Sequence, residues 1–195
     1  VISAIFCGAY FIAMFAIKER REFMELDKPL PFVESFKTAV TNRSWYTYKS
    51  TDLMTTCMID WISAIAPFFA TYSLGVGISA LSIMMGVQLI AMFAFFPIWR
   101  KICLDHGTKV TLAAGMIGFN AGPLLGLVAH DIVGMALMGF AGGVTMGGLV
   151  LARALMWADV VDEDETKTGI RREGMYSGVS SPFDKIAFVI TATST

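Results

Sequence analysis

Polar and apolar positions along this chain are segregated into blocks. From 61 to 99 there is no Asp, Glu, Lys or Arg, a run of 39 positions bounded by Asp60 and Arg100. A membrane-spanning helix needs ~20 apolar residues, so this run predicts two helices, broken at the glycine pair Gly75 and Gly77. A second uncharged run covers 110–129 and ends at His130 and Asp131, and a third covers 132–152. The chain opens on another, 1–17, and closes on one that starts near Met175. The pattern predicts helices over 1–17, 53–74, 79–99, 110–129, 132–157 and 175–195. That is an all-α, polytopic membrane helix bundle of about six spans, the last of them truncated.

Composition agrees with the pattern. Of 195 residues 55% are hydrophobic and 16% charged, whereas a soluble domain carries about a quarter charged residues. The partner this implies is the lipid bilayer. A net charge of -1 excludes the basic face of a nucleic-acid binder. Cys7, Cys57 and Cys103 are widely spaced and show neither metal spacing nor a disulfide framework.

Lys and Arg fall on one side of the predicted spans. Segment 18–52 holds seven, 100–109 three and 153–172 four, while the turns near 75–78 and 130–131 hold none. The positive-inside rule then puts those three segments in the cytoplasm and predicts a multi-pass protein of the cell's inner membrane. The 18–52 stretch reads as one long solvated connection, with Phe23 and Met24 among the charges of 18–26. The first run has only 17 residues, and the last stops without flanking charge. Both ends therefore look cut inside helices, as in a fragment of a larger chain.

Four acids and three bases stand where charge has consequences. Lys185 lies ten residues past Met175, ~15 Å into its helix and near the middle of a ~30 Å hydrocarbon core. A cation there costs at least ~2.5–3.5 kcal/mol unless it faces protein or a wet cavity. Asp184 is its neighbour, ~100° round the helix, and marks a second polar surface or a kink after Pro182. Asp60, ~10 Å into its own helix, is a candidate partner for a buried lysine. In A-D-V-V-D-E-D-E-T-K-T-G-I-R-R-E-G at 158–174, Asp159 and Asp162 share a helix face. Acids at a helix C-terminus oppose the macrodipole, so Arg171 and Arg172, across the break at Thr168–Gly169, are the expected compensation. The glycines of 132–157 permit close helix approach. Trp45, Tyr46, Tyr48 and Trp99 read as interface anchors, and Trp61 or Tyr72 as packing or a sugar-stacking face. No H-E-x-x-H, G-x-S-x-G or phosphate-binding G-x-x-x-x-G-K is present.

The 158–178 segment, with its ordered acids, T-G and R-R-E-G and with Lys185 following, resembles the signature loop of the glycoside–pentoside–hexuronide:cation symporters. These are the melibiose-carrier family of the major facilitator superfamily. F-F-P at 95–97 and Tyr72-Ser-Leu-Gly75 add to the resemblance, which covers about the C-terminal half of a twelve-helix carrier. It implies that 1–17 is the last helix of the N-terminal bundle, 18–52 the central cytoplasmic loop and 53–195 an incomplete C-terminal bundle. It further implies alternating-access symport of a sugar or glycoside with Na⁺ or H⁺ by a monomer. By the resemblance Lys185 would lie in the central cavity near the sugar and cation, and Asp159 and Asp162 with Arg171 would close the cytoplasmic gate. The residue pattern adds Asp184, Asp60 and Tyr72 as candidates for substrate and coupling and Arg172 for the gate. The coupling cation would bind mainly in the N-terminal half, with no other cofactor and no metal site in this segment. The chain departs from the family at Val150, where the melibiose carrier has an aromatic facing the sugar.

Two other functions fit parts of the pattern. One is a same-fold transporter of a non-sugar, lipid-like solute. The other is an Mg²⁺-dependent intramembrane prenyltransferase built on D-x-x-D at 159–162, which would need a second Asp-rich loop on the same side. The topology is testable by thiol labelling in a full-length carrier containing this sequence. A cysteine at position 130 should react from outside only, and reaction from the cytoplasm alone would reverse the scheme.

Overall fold

The computed structural model describes residues 31–194 except 78, 129, 130 and 170, together with the helical and exposed positions Gly8, Phe11, Ile12 and Met14. The chain divides into two compact units, Val1–Pro31 and Phe32–Thr195. Most of the expected helix at 1–17, the charged stretch 18–26 and His130 lie outside the described residues.

The second unit is all helix among the described residues. Its elements are α1 (Phe32–Thr41), α2 (Arg43–Phe68), α3 (Ser79–His106), α4 (Thr108–Ala121), α5 (Ile132–Thr168) and α6 (Glu173–Ser194). A π-helical turn, Phe69–Ser73, prolongs α2 past Pro67, and a 3₁₀ turn, Gly122–Leu127, prolongs α4. Four helical stretches are long and apolar enough to cross a membrane: Arg43–Ser73, Ser79–His106, Thr108–Leu127 and Ile132–Thr168. The helix expected at 175–195 forms as α6, but it does not join that set, because Asp184 and Lys185 interrupt a helix already rich in Ser and Thr.

Helices reach further into the charged segments than the uncharged runs predict. Residues 32–52 do not form an irregular linker: α1 and the first turns of α2 occupy them. Asn42 makes the corner, its Oδ1 accepting from the Ser44 N–H at 3.1 Å while its Nδ2 donates to the Tyr176 hydroxyl at 2.9 Å. Such a cap satisfies one of the amides a helix N-terminus leaves open. Trp45 is no interface anchor. It is 1% exposed, packed edge-on against Phe183 at 5.5 Å and clustered with Ala39, Val160 and Tyr176.

The helix expected at 79–99 passes through Pro97 without closing and runs on to His106 as α3. Proline removes one backbone donor, but an apolar surrounding offers the neighbouring groups no partner outside the helix. Beyond Pro97 the helix is held by buried Trp99, whose Nε1 donates to the Val144 carbonyl of α5 at 2.5 Å. Trp99 too is core. The basic loop expected at 100–109 shrinks to a corner at Gly107, where φ is +84°, a backbone conformation glycine adopts without steric penalty.

α5 has 37 residues, ~55 Å at ~1.5 Å per residue, against a hydrocarbon core of ~30 Å. Its last turns, with Asp159 to Glu165, therefore extend past any membrane it crosses. It ends at the predicted break. Gly169 is left-handed at φ +73°, and its N–H returns to the Glu165 carbonyl at 2.8 Å.

The main helix contact is a backbone seam between α3 and α5. A Cβ added to Gly139 would lie 2.4 Å from the Met84 carbonyl oxygen, and one on Gly143 2.2 Å from that of Gln88. Four residues on, Gly147 faces the Met92 carbonyl, and a Cβ on Gly148 would enter the Trp99 ring at 2.6 Å. Small residues at this spacing let helices touch without intervening side chains. Gly143→Ala must therefore separate two backbones, and overpacking of this kind costs ~1–3 kcal/mol. The melting temperature in detergent should drop by several degrees. Gly142→Ala, whose nearest neighbours stand 3.9 Å away, should leave it within about a degree, since it meets only ordinary contacts.

Candidate functional site

The end of the unit where α2 begins, α3 passes into α4 and α5 leaves its apolar section carries most of the charge. Just inside it, four ionised side chains from α2, α5 and α6 form one cluster. Lys49 and Asp52 lie three residues apart on α2, each 5% exposed. Lys49 Nζ donates to Asp52 Oδ2 at 2.9 Å and to Asp184 Oδ1, on α6, at 2.5 Å. Arg153, on α5, donates through Nε to Asp52 Oδ1 at 2.7 Å and through Nη2 to Thr56 Oγ1 at 3.0 Å, and Nη2 also pairs with Asp52 Oδ1.

Two cations and two carboxylates make the cluster neutral. Removing an ion from water is expensive, and opposite charge with good hydrogen-bond geometry is what offsets it. Asp52 has both oxygens engaged, by a lysine and a guanidinium, and is the hub. Replacing it by Asn or Ala leaves Arg153 with only the neutral Thr56 hydroxyl and Lys49 dependent on Asp184 alone. Breaking a buried pair in this way costs ~3–5 kcal/mol, so Asp52→Ala should sharply lower the thermal midpoint. Asp162→Ala, at the exposed rim, should leave it nearly unchanged, and equal effects would contradict the assignment of the hub.

The residues singled out in the sequence divide into three groups. Asp184 joins the cluster, with its side chain 56% exposed on its outer side. Lys185, the next residue, is exposed and makes no ion pair among the described residues. Asp60 is half-buried, two turns beyond Asp52, and likewise has no ion pair among the described residues. The carboxylate of α2 that engages a lysine is Asp52, and the lysine is Lys49. Tyr72 is 82% exposed on the π turn, its ring stacked on Phe68 with centroids 6.4 Å apart.

At the charged rim, Arg171 gathers three carboxylates: Asp162 at 3.3 Å, Glu165 at 3.1 Å and Glu173 at 3.5 Å. Glu165 holds the Arg171 guanidinium above its ordinary pKa. Lys167 pairs with Glu163 one turn back. These bases answer the acids at the α5 C-terminus, as the macrodipole requires. Asp159 does not reach Arg171. It is exposed in a cleft of about 700 Å³ whose charged walls are Arg43, Lys109 and Glu163, with His106 beside them. Arg172 contributes its carbonyl, which accepts the Tyr176 N–H at 3.2 Å.

By sequence, Lys49 and Arg153 stand only among the basic residues that flank the uncharged runs, and Asp52 goes unmarked. Their signal is the i, i+3 spacing of Lys49 and Asp52, together with Arg153 ending an uncharged helical run. Asp164 is a further buried acid, 5% exposed, and its Oδ2 has no hydrogen-bond partner. No group of three His, Cys, Asp or Glu that could hold a metal occurs among the described residues. Two less polar spaces lie deeper. One is a groove of about 510 Å³ with Trp61, Met58, Asn120 and Ile190 on its walls. The other is a cavity of about 200 Å³ walled by Ile62, Phe69, Met84, Phe119 and Met138, with Gln88 its polar exception.

Long apolar helices packed along a backbone seam make this a polytopic membrane helix bundle. The family described as MFS/sugar transport protein matches the chain over residues 1–195, and the chain belongs to that family. The isoprimeverose transporter of Lactiplantibacillus pentosus is 27% identical over 188 residues, which cover 93% of this chain and 38% of that protein. The chain thus spans well under half the length of that relative. No solved structure matches it. The likeness to sugar transporters supports a transport role rather than a catalytic one.

Proposed function

We propose that the chain is part of a secondary transporter of the cell's inner membrane that moves a sugar or glycoside with Na⁺ or H⁺ by alternating access. In this reading 53–195 belongs to the C-terminal bundle, 18–52 is the connection that carries α1 and the start of α2, and 1–17 closes the preceding bundle. The carrier works as a monomer. The inner gate is Asp159 and Asp162 with Arg171 and Arg172. Asp184, Lys185, Asp60 and Tyr72 serve substrate and coupling.

The observation that carries the reading is the contrast between neighbours on α6. Asp184 is neutralised within the unit by Lys49, while Lys185 is exposed without an ion pair among the described residues. Lys185 lies twelve residues into α6, ~18 Å along it. At that depth an ammonium needs a wet cavity or carboxylates from another part of the carrier. A coupling cation would compete for the same carboxylates. The groove at Trp61 and Asn120 supplies an aromatic face and an amide, the kind of surface a sugar ring requires. The apolar cavity near Gln88 favours the second reading, a lipid-like solute.

The test is uptake into proteoliposomes by a full-length carrier containing this sequence, with isoprimeverose as the first probe and Na⁺ or H⁺ gradients imposed. Gradient-driven accumulation is expected, with competition by sugars and none by lipid-like solutes. Lys185→Ala should abolish accumulation while expression and membrane insertion persist. Sugar binding in that variant should no longer depend on the cation. Parental cation dependence in Lys185→Ala would refute the coupling role.

A further inference from the structure

We propose that Asp184 is a positioning residue. Its ion pair with buried Lys49 locks the rotation of α6 beyond Pro182, and so sets the direction in which Lys185 leaves the helix. The functional consequence rests on the reading of Lys185 given above; the clamp itself does not.

α6 is weakest just before this pair. Pro182 has no N–H, so the carbonyl of Gly178 loses its helical donor. Ser181 Oγ bonds back to the Ser177 carbonyl at 3.1 Å, a contact that bends helices. A Cβ on Gly178 would meet nothing within 4 Å, so that face of the helix is open, while Tyr176 and Val179 pack the opposite one into the core. One turn past the pair, Cys57 Sγ of α2 lies 3.9 Å from the Ala187 carbonyl, a weak thiol contact. Among the described residues, Lys49–Asp184 is the one ion pair joining the part of α6 beyond Pro182 to another helix.

The anchor is rigid where the helix is soft. Lys49 is buried and held from its other side by Asp52, which Arg153 holds in turn, so α2 and α5 together present a fixed ammonium to α6. Adjacent residues on a helix stand ~100° apart, so fixing the azimuth of Asp184 fixes that of Lys185. A swivel of ~30° would carry a side-chain tip ~5–6 Å from the axis through ~3 Å. That is enough to break a hydrogen bond to a carboxylate or a sugar hydroxyl. Loss of Asp184 leaves the cluster one carboxylate short, but Lys49 and Arg153 both keep Asp52 and the lost group is half exposed, so the variant should fold.

The clamp can be read without transport. Spin labels at Met54→Cys on α2 and Phe188→Cys on α6, both exposed positions, are introduced after replacing Cys7, Cys57 and Cys103. The distance distribution should be narrow in the parent chain, broad or bimodal in Asp184→Asn, and narrow again in Asp184→Glu. An unchanged distribution in Asp184→Asn overturns the proposal. In the full-length carrier, Asp184→Asn should raise the half-saturating cation concentration for sugar binding about tenfold, ~1.4 kcal/mol. Asp184→Glu should restore it, and adding Asp184→Asn to Lys185→Ala should change it no further. Broadening with parental cation activation in Asp184→Asn, where Lys185→Ala has lost that activation, overturns the positioning role. Parental activation in Lys185→Ala itself refutes the cavity-lysine reading and leaves the clamp standing.

Discussion

A carboxylate removed from water must be enclosed by donors, and Asp52 is enclosed by Lys49 of its own helix and Arg153 of another. The geometry of the charged end depends on that enclosure. Because Asp52 is satisfied by two cations, Lys49 has a donor left for Asp184, and α6 is tied to α2 and α5 through a chain of charges. The apolar cluster of Trp45, Tyr176 and Val160 packs beside it. Its contacts join the same three helices, so ionic and apolar restraints act in the same direction.

The opposite end is held by other means. There Ala70, Ala80 and Met135 form a small apolar cluster, and Gly75 at φ +64° turns the chain between α2 and α3. Between the two ends the α3–α5 seam needs neither charge nor large side chains. The backbones of α3 and α5 meet directly at Gly139 and Gly143, whereas α6 continues through Pro182 and is joined to α2 by paired charge.

Much of the fold was legible in the sequence because the uncharged runs are long and the hydrocarbon thickness is fixed. The break at Gly75 to Gly77, the left-handed stop at Gly169 and the packing role of the α5 glycines all follow from elementary rules. Helix ends were harder to read. Charge marks where a helix leaves lipid and not where it stops, so α3 and α5 run ~10 Å and more beyond their apolar sections. Trp45 and Trp99 resembled interface anchors by position, yet each fills a wedge between helices. The ion cluster was hidden for a related reason. Lys49 and Arg153 count as boundary charges in any tally of basic residues, and only the approach of α6 to α2 joins them to Asp184. Of the rim, Arg171 with Asp162 was legible from their order, whereas the separation of Asp159 from that pair depends on where α5 turns its face.

The seam has a consequence for how this domain can drift in sequence. On the α5 side, glycine at 139 and 143 is demanded by carbonyl oxygens of α3, and a carbonyl is the same whatever residue bears it. Met84 and Gln88 can therefore change identity without any compensating change across the contact. The tightest junction in the unit should leave almost no trace in correlated substitutions between the two helices, and would register instead as two silent columns of glycine facing variable neighbours.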